Sequence, residues 1–229
     1  AFKVRGYMHD VGRSFISIET LKRHVDLLAR FKVNTFHWHM TENQAWRFEV
    51  KAYPQLTSSE SMTRYPGLFY TQEQCREIVE YARNLHIELQ DYAKERGVIV
   101  IPEIDMPGHS EAFTRAMGFD MQTDKGVAVL KEIIEEVVKV FPDAPYIHIG
   151  ADEKSITYPD FLKIMTDKVH SLGKMVAVWN PIRGVAISTS TGADMTQMWS
   201  SAGNKIAGRP NIDCRYNYTN HFDVFADVV

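Results

Sequence analysis

The chain has 229 residues, of which 45% are hydrophobic and 24% are charged, and its formal net charge at pH 7 is −3. This composition is ordinary for a globular protein, and the length suits one domain, residues 1–229, with a full hydrophobic core. Because Lys and Arg do not cluster in runs, nothing favours nucleic acid as a partner. No apolar stretch approaches the roughly 20 residues of a membrane-spanning helix.

Strand-like and helix-like segments alternate along the chain. The first strand is predicted at 3–8 and the first helix at 18–31, where apolar residues recur at helical spacing. After a strand at 34–40 and a long loop at 41–70, a second helix opens at Thr71, whose hydroxyl is a good N-cap. Strands are then predicted at 98–104, 146–150, 175–179, 196–199 and 211–216, with helices at 125–141 and 160–172.

Strands separated mostly by helices predict a parallel sheet, and at this number a (β/α)₈ TIM barrel. An open doubly wound sheet is the competing architecture, but it usually carries a glycine-rich turn after its first strand. Gly6-Tyr7-Met8 is not such a turn. The chain stops at Val229, just past the seventh predicted strand. We therefore expect a barrel truncated after its seventh strand, in an excerpt from a longer chain.

Asp152 and Glu153 are adjacent carboxyl residues at the end of a predicted buried strand. Holding two such groups together costs free energy, because like charges repel and burial disfavours ionisation. Neighbouring residues of a strand point in different directions, so the pair suits chemistry that aims two acids at two atoms of one substrate. A solvated turn is the simpler alternative. We favour a functional pair because it follows an apolar strand and lies outside any charged run.

Four segments of the sequence resemble, in order, the motifs of glycoside hydrolase family 20, the β-N-acetylhexosaminidases. They are residues 5–13 (RGYMHDVGR), 36–47 (FHWHMTENQAWR), 102–110 (PEIDMPGHS) and 148–153 (HIGADE), the last being similar to the family's H-x-G-G-D-E signature. The resemblance implies a barrel enzyme that removes terminal β-linked N-acetylhexosamine with retention and without a cofactor. Since active sites of such barrels lie at the C-terminal ends of the strands, we expect all four segments at one rim.

The resemblance also implies a mechanism, because in family 20 the 2-acetamido group of the substrate is the nucleophile. Glu153 would be the general acid and later the base for water, and Asp152 would orient the acetamido group. We expect Glu153 to be partly desolvated, so that it stays protonated near neutral pH. His109 matches a histidine that hydrogen-bonds near the acid. Glu42 stands where an Asp that supports this histidine is usual.

Five further residues match substrate-binding positions of the family. Arg5 matches an arginine that grips sugar hydroxyls, a task that suits a bidentate guanidinium, although a structural ion pair would explain it equally. Trp179 and Trp199 resemble aromatic walls around the acetamido group, and core packing is their alternative. Tyr218 and Asn220 resemble a Tyr-x-Asn/Asp pair of the family.

Besides Glu42, two further features that depart from the family pattern bear on the structure. Ala151 replaces a Gly, and it is strained if its φ is positive. Residues 80–89 (EYARNLHIEL) are echoed by residues 91–100 (DYAKERGVIV), where the family has one such stretch. Because eleven residues make almost whole helical turns, this insertion would lengthen the second helix without rotating its apolar face.

Three other functions stay open at this point. His37 and His39 share a strand face, so with His109 or His148 they would suit a zinc-dependent hydrolase; barrel-filling histidines are the simpler interpretation, and no metal is expected. The chain would otherwise be a glycan-binding barrel without turnover, or a non-functional fragment. The resemblance implies a glycan or glycoconjugate partner and a periplasmic, secreted or lysosomal-type compartment, whereas the oligomeric state is not indicated.

Overall fold

The protein is described by a computed structural model over residues 2–88, 98–183 and 191–215. Within these residues, parallel strands form one sheet in chain order, β1 to β7. The strands are β1 Gly6–Asp10, β2 Thr35–His39, β3 Ile99–Glu103, β4 Tyr146–His148, β5 Met175–Asn180, β6 Met195–Met198 and β7 Asn211–Asp213. This confirms the predicted sheet, which has the strand order of a (β/α)₈ barrel. The first strand begins later than predicted, because its partner strand starts only at Thr35.

Helices lie between most of the strands. They are α1 Ile18–Arg30, α2 Gln72–Glu88, α3 Glu111–Met117, α4 Asp124–Val140 and α5 Phe161–Ser171, and α3 was not predicted. The predicted cap at Thr71 is confirmed: its hydroxyl accepts from the Gln74 N–H at 3.1 Å, and its own N–H donates to Gln74 Oε1 at 2.9 Å, a capping box. Phe31, predicted within α1, lies beyond the helix end and is 78% exposed. Among the described helices, none has the length and apolar character to cross a membrane.

The hydrophobic core lies between the sheet and these helices. Leu21 and Val25 of α1 are fully buried, as are Ile133 and Val137 of α4, and each pair lies about one turn apart on the inward face of its helix. This spacing is the 3.6-residue periodicity on which the helix predictions rested. The helices therefore pack against the sheet through their apolar faces, and the strand ends carry the site.

Arg47 fastens the long loop after β2 to the loop after β1. Its side chain is fully buried, and a buried guanidinium is stable only if its donors are paired. The acceptors are the backbone carbonyls of Val11 at 3.0 Å, Gly12 at 3.3 Å, Arg64 at 2.8 Å, Tyr65 at 2.9 Å and Leu68 at 2.6 Å. The two loops that border the first strands are thereby held in fixed relative positions.

The strand register places polar residues side by side near the C-terminal ends of the first four strands. Asp10 pairs with His39, His39 with Glu103, and Glu103 with His148. Residues in register on neighbouring strands point to the same face of a sheet. The sequence therefore builds a row of titratable groups across the sheet, directly beneath the loops that carry the family motifs.

Candidate active site

Asp152 and Glu153 meet His109 and Glu42 at the C-terminal end of the sheet. His109 Nδ1 lies 2.6 Å from Glu42 Oε1, and His109 Nε2 lies 3.1 Å from Glu153 Oε2 and 3.7 Å from Asp152 Oδ1. These residues come from the loops after β2, β3 and β4. The expectation that these motifs converge at one rim is therefore met, and His109 is the residue that links the others.

Glu42 reaches His109 although an Asp is usual at this position. Gly12 allows the loop after β1 to pack closely against Glu42, because a Cβ at position 12 would fall 2.5 Å from Glu42 Cβ. Arg13 also forms an ion pair with Glu42, and it holds Asp10 with its other terminal nitrogen at 2.6 Å. Sequence reasoning placed Arg13 at the rim but gave it no role in the site. Its ion pairs add a fixed positive charge beside Glu42.

The charges around His109 favour its protonated form. Burial by itself would lower the pKa of His109, but the hydrogen bond with Glu42 and the charges of Asp105, Glu42 and Asp152 outweigh it and raise this pKa to about 9. Burial would likewise raise the pKa of Glu42, yet the hydrogen bond from His109 and the positive charges of His109 and Arg13, with the His39 imidazole at 3.8 Å, bring it well below its usual value. At neutral pH the pair is therefore an imidazolium and a carboxylate.

The two acids differ in solvent exposure, and Glu153, which was expected to be desolvated, is the more exposed of the two. The Asp152 side chain is only 11% exposed, whereas the Glu153 side chain is 56% exposed. The predicted desolvation of Glu153 was therefore wrong for this structure. The pKa of Asp152 is raised to about 6 by burial and by the charges of Glu103 and Glu153, against the opposing charge of His109.

The backbone of the motif before the acids is tightly packed and strained. Gly150 has a φ of +68°, and a Cβ there would fall 1.8 Å from Asp105 Oδ1, so glycine makes room as expected. Ala151 has a φ of +82°, and Glu153 and His109 have φ values of +54° and +47°. Residues other than glycine rarely adopt a positive φ without strain. The expected strain at Ala151 is thus present, next to the two acids.

Glu103 is a second residue of this region, after Arg13, that sequence reasoning missed. It is fully buried in β3, with Oε2 lying 2.6 Å from His39 Nδ1 and 2.8 Å from His37 Nε2. Its Oε1 accepts from Trp179 Nε1–H at 2.7 Å and lies 3.1 Å from His148 Nδ1. A charged residue inside an otherwise apolar predicted strand was the available signal. Its carboxylate gathers three histidines and a tryptophan beneath the acids.

The aromatic residues lie partly where expected. The indole of Trp179 is almost buried and packs at 4.7 Å from the ring of His148 and at 5.5 Å from that of His37. Trp199 is half-buried after β6, and its Nε1–H donates to the Pro181 carbonyl at 3.2 Å. Both lie at the C-terminal ends of their strands. Tyr218 and Asn220 lie outside the described residues.

Arg5 is not brought to this site. It precedes β1, about 16 Å from Asp10 at a rise of about 3.3 Å per residue. Its Nε–H donates to the Lys32 carbonyl at 2.6 Å and one terminal nitrogen donates to the Phe2 carbonyl at 2.7 Å. These contacts lie at the N-terminal end of the sheet, so the predicted sugar-binding role of Arg5 does not fit this structure. Its guanidinium instead ties down the entry to β1.

The histidine-rich region also contains donor atoms of the kinds that bind cations. Donor atoms of His37, Glu103 and His148 lie within 4.8 Å of one another, as do those of Asp105, His109 and Asp152. Each group, however, contains contacts that hydrogen bonds and ion pairs explain without a metal. We therefore assign no metal ligands among the described residues.

The sequence comparisons identify the family of the chain. The model of the glycosyl hydrolase family 20 catalytic domain matches residues 2–90 and 86–119. The chain belongs to glycosyl hydrolase family 20. The two matched segments overlap at residues 86–90, within the near-repeat at 80–100 that departs from the family pattern.

Relatives and solved structures extend the similarity to most of the chain. A beta-hexosaminidase of Porphyromonas gingivalis is 41% identical over 180 residues, covering 67% of this chain and 22% of the relative. One of Vibrio furnissii is 35% identical over 207 residues, covering 75% of this chain and 31% of the relative. The family 20 β-N-acetylhexosaminidase structure from Streptomyces coelicolor has a TM-score of 0.76 at 27% identity, covering 95% of this chain and 49% of that one. The chain thus spans less than a third of these two sequence relatives.

Proposed function

We propose that this chain forms the catalytic site of a glycoside hydrolase that removes terminal β-linked N-acetylhexosamine, GlcNAc or GalNAc, from glycans. The observation that carries the proposal is the meeting of Asp152 and Glu153 with the His109–Glu42 ion pair at the C-terminal strand ends of a family 20 chain. This arrangement supplies two acids of different burial beside one protonated imidazole. It suits a reaction in which one acid moves a proton and the other stabilises charge.

We further propose a retaining, substrate-assisted mechanism. The acetamido oxygen attacks the anomeric carbon while the bond from that carbon to the leaving oxygen breaks, and Glu153 donates a proton to this oxygen. Asp152 accepts from the acetamido N–H and stabilises the positive charge of the cyclic oxazolinium ion. Water then attacks the anomeric carbon, the bond from that carbon to the acetamido oxygen breaks and restores the acetamido group, and Glu153 takes a proton from the water. The exposure of Glu153 suits this exchange with a leaving group and with water.

The surrounding residues have supporting roles in this proposal. His109 orients Glu153 and Glu42 holds His109, as their distances allow. Trp179 and Trp199 border the acetamido group, and Tyr218 and Asn220 remain substrate-binding candidates. Arg5 is not used, since its side chain is occupied at the other end of the sheet.

The test compares turnover of an aryl β-N-acetylglucosaminide by the wild type, Glu153→Gln and Asp152→Asn. Loss of general acid catalysis should lower kcat by about 10²–10⁴-fold in Glu153→Gln, with binding of N-acetylglucosamine retained. Asp152→Asn should lower kcat without preventing binding. The matched control is Glu111→Gln, an exposed carboxylate at the start of α3, which should keep wild-type turnover.

The nucleophile is tested with a substrate that lacks it. An aryl β-glucoside should be nearly inert, and a thiazoline that mimics the oxazolinium ion should bind more tightly than N-acetylglucosamine. Equal hydrolysis of the glucoside and the N-acetylglucosaminide would contradict substrate assistance. Sugar binding without any turnover by the wild type would contradict the enzyme and support a glycan-binding barrel.

A further inference from the structure

Glu103 lies between two parts of the site that the proposed mechanism treats separately. On one side its Oε2 contacts His39 Nδ1 at 2.6 Å, and on the other its Oε1 accepts from the Trp179 indole N–H at 2.7 Å. The carboxylate is fully buried in β3. Because a buried carboxylate is costly unless it is paired, its two oxygens are constrained to meet both partners at once.

A row of alternating carboxylates and imidazoles connects Glu103 with the acid Glu153. From His39, the Nε2 atom lies 3.8 Å from Glu42 Oε1, an ion-pair distance. Glu42 is 2.6 Å from His109, which is 3.1 Å from Glu153. Every member but Glu153 is largely buried. A displacement at Glu103 is therefore passed along packed side chains to the acid.

We propose that Glu103 is a positioning residue that fixes both halves of the active site, the His39–Glu42–His109 row under Glu153 and the indole of Trp179. The inference rests on the proposed function, but it concerns a residue that touches neither the acids nor the position of the sugar. Through its two oxygens, the Glu103 carboxylate couples the orientation of the Glu153 side chain to the orientation of the Trp179 indole.

Only an ionised carboxylate satisfies both sides. A glutamine of nearly the same shape has one acceptor oxygen and one NH₂ donor. If its oxygen keeps the indole N–H of Trp179, its NH₂ faces His39, and the imidazole can no longer donate to it. If the amide is turned over, the indole loses its acceptor and is left unpaired in a buried site. Glu103→Gln must therefore disturb one half or both.

The charge on His39 depends on more than Glu103. Burial by itself would lower the pKa of His39. The charge and hydrogen bond of Glu103, together with the nearby carboxylates of Glu42 and Asp10, outweigh burial and raise this pKa well above its usual value. His37 beside it is the opposite case, since burial lowers its pKa to about 4. The titratable groups that face His39 from its own strand and from the neighbouring elements are Asp10, His37, Glu42, Glu103, Asp105 and His109.

The first test does not depend on activity. In the wild type at pH 7, ¹⁵N NMR should show a doubly protonated His39 ring and a strongly hydrogen-bonded Trp179 indole N–H. In Glu103→Gln, His39 should become neutral or the indole N–H should move to the position of a weaker hydrogen bond. A neutral His39 in the wild type, or both signals unchanged in Glu103→Gln, would overturn the proposal, even if the enzyme proves inactive.

The second test uses turnover of the aryl β-N-acetylglucosaminide. Glu103→Gln should lower kcat by about 10–100-fold, the scale of small misplacements of catalytic groups, and should change the pH profile of kcat. Glu103→Asp keeps both oxygens and should recover part of the loss. Trp179→Phe removes the indole donor together with part of the ring, and it should raise KM while leaving the pH profile in place, so it tests one half of the coupling even if Glu103→Gln folds poorly.

The matched control is Glu136→Gln on α4. Glu136 also accepts several hydrogen bonds, from the N–H groups of Lys51 at 2.8 Å and Ala52 at 3.0 Å, but it lies away from the site. The Glu136→Gln variant should have a lower free energy of unfolding without a change in kcat or in the pH profile of kcat. Wild-type kcat and pH profile in folded Glu103→Gln would refute the positioning role, whereas an inactive wild type with the expected NMR signals would refute only the proposed function.

Discussion

Replacing Ala151 by glycine should cost much less stability than such a change normally does. Ala151 is fully buried with a φ of +82°, and an L-residue in the left-handed region costs about 1–2 kcal/mol. Glycine removes that cost. Two terms oppose the gain: the greater freedom of glycine in the unfolded chain, about 0.5–1 kcal/mol, and the loss of one buried methyl group, about 0.8 kcal/mol. Ala151→Gly should therefore lie close to the wild type in free energy of unfolding.

Ala82→Gly isolates the contribution of the backbone. Ala82 is also fully buried, but it lies within helix α2, so its replacement carries both opposing terms and no relief of strain. It should lose about 1.5 kcal/mol. The difference between the two variants, about 1–2 kcal/mol, is then the strain stored at Ala151.

Urea denaturation of both variants and the wild type at one pH measures this difference, provided that the m-values agree. An equal loss in Ala151→Gly and Ala82→Gly would show that Ala151 is not strained. The backbone before the acids would then store no strain, although the contacts of Asp152 and Glu153 would stand.

Two further predictions follow from the same region. The stabilisation of the wild type relative to His109→Gln should be fully present below pH 6.5 and decrease by about 3 kcal/mol as the pH rises through 9. The reason is that the His109 pKa is about 9 in the folded state and 6.5 in the unfolded state. Denaturation of both proteins across this pH range measures the difference in free energy of unfolding, and a difference that stays constant with pH would contradict the prediction. Gly150→Ala should lower the free energy of unfolding by clearly more than Gly173→Ala, since both have positive φ but only the Cβ at Gly150 would strike Asp105. Equal losses would show that Asp105 simply moves aside.

The architecture was predictable because its signals are local. Strands alternating with helices identified the parallel sheet, and the Thr71 cap identified the start of α2. The bounds were less predictable, because a strand extends only as far as its partner does. Thus β1 begins at Gly6, opposite Thr35, and Phe31 is exposed because α1 ends one residue earlier.

The site was predictable where a motif carries its own geometry and not where contacts cross between strands. Asp152, Glu153, His109 and Glu42 belong to motifs, and the structure brings them together. Glu103 acquires its role only because the register sets it between His39 and His148, and register is a property of strands distant in sequence.

Arg5 shows the opposite limit of motif reasoning. Its identity matched the family, but identity does not determine the direction of a long side chain with many rotamers. Backbone carbonyls of Phe2 and Lys32 take up its donors at the N-terminal end of the sheet. Local hydrogen bonds therefore decided the position of this side chain, and the motif alone could not.

The order of burial along the row explains how so many charges can lie together in one small region. Side-chain exposure is 0% at Glu103, 1% at Glu42, 12% at His109 and 56% at Glu153. The buried end alternates in sign, so each charge is balanced by its neighbours and the cost of desolvation is offset by close pairing. Only Glu153, the last member, is largely exposed to water, which is where a proton must be gained and lost. The buried, charge-paired members of the row can therefore hold Glu153 in place through His109 without burying it. This reconciles the proposed general acid role of Glu153 with its exposure.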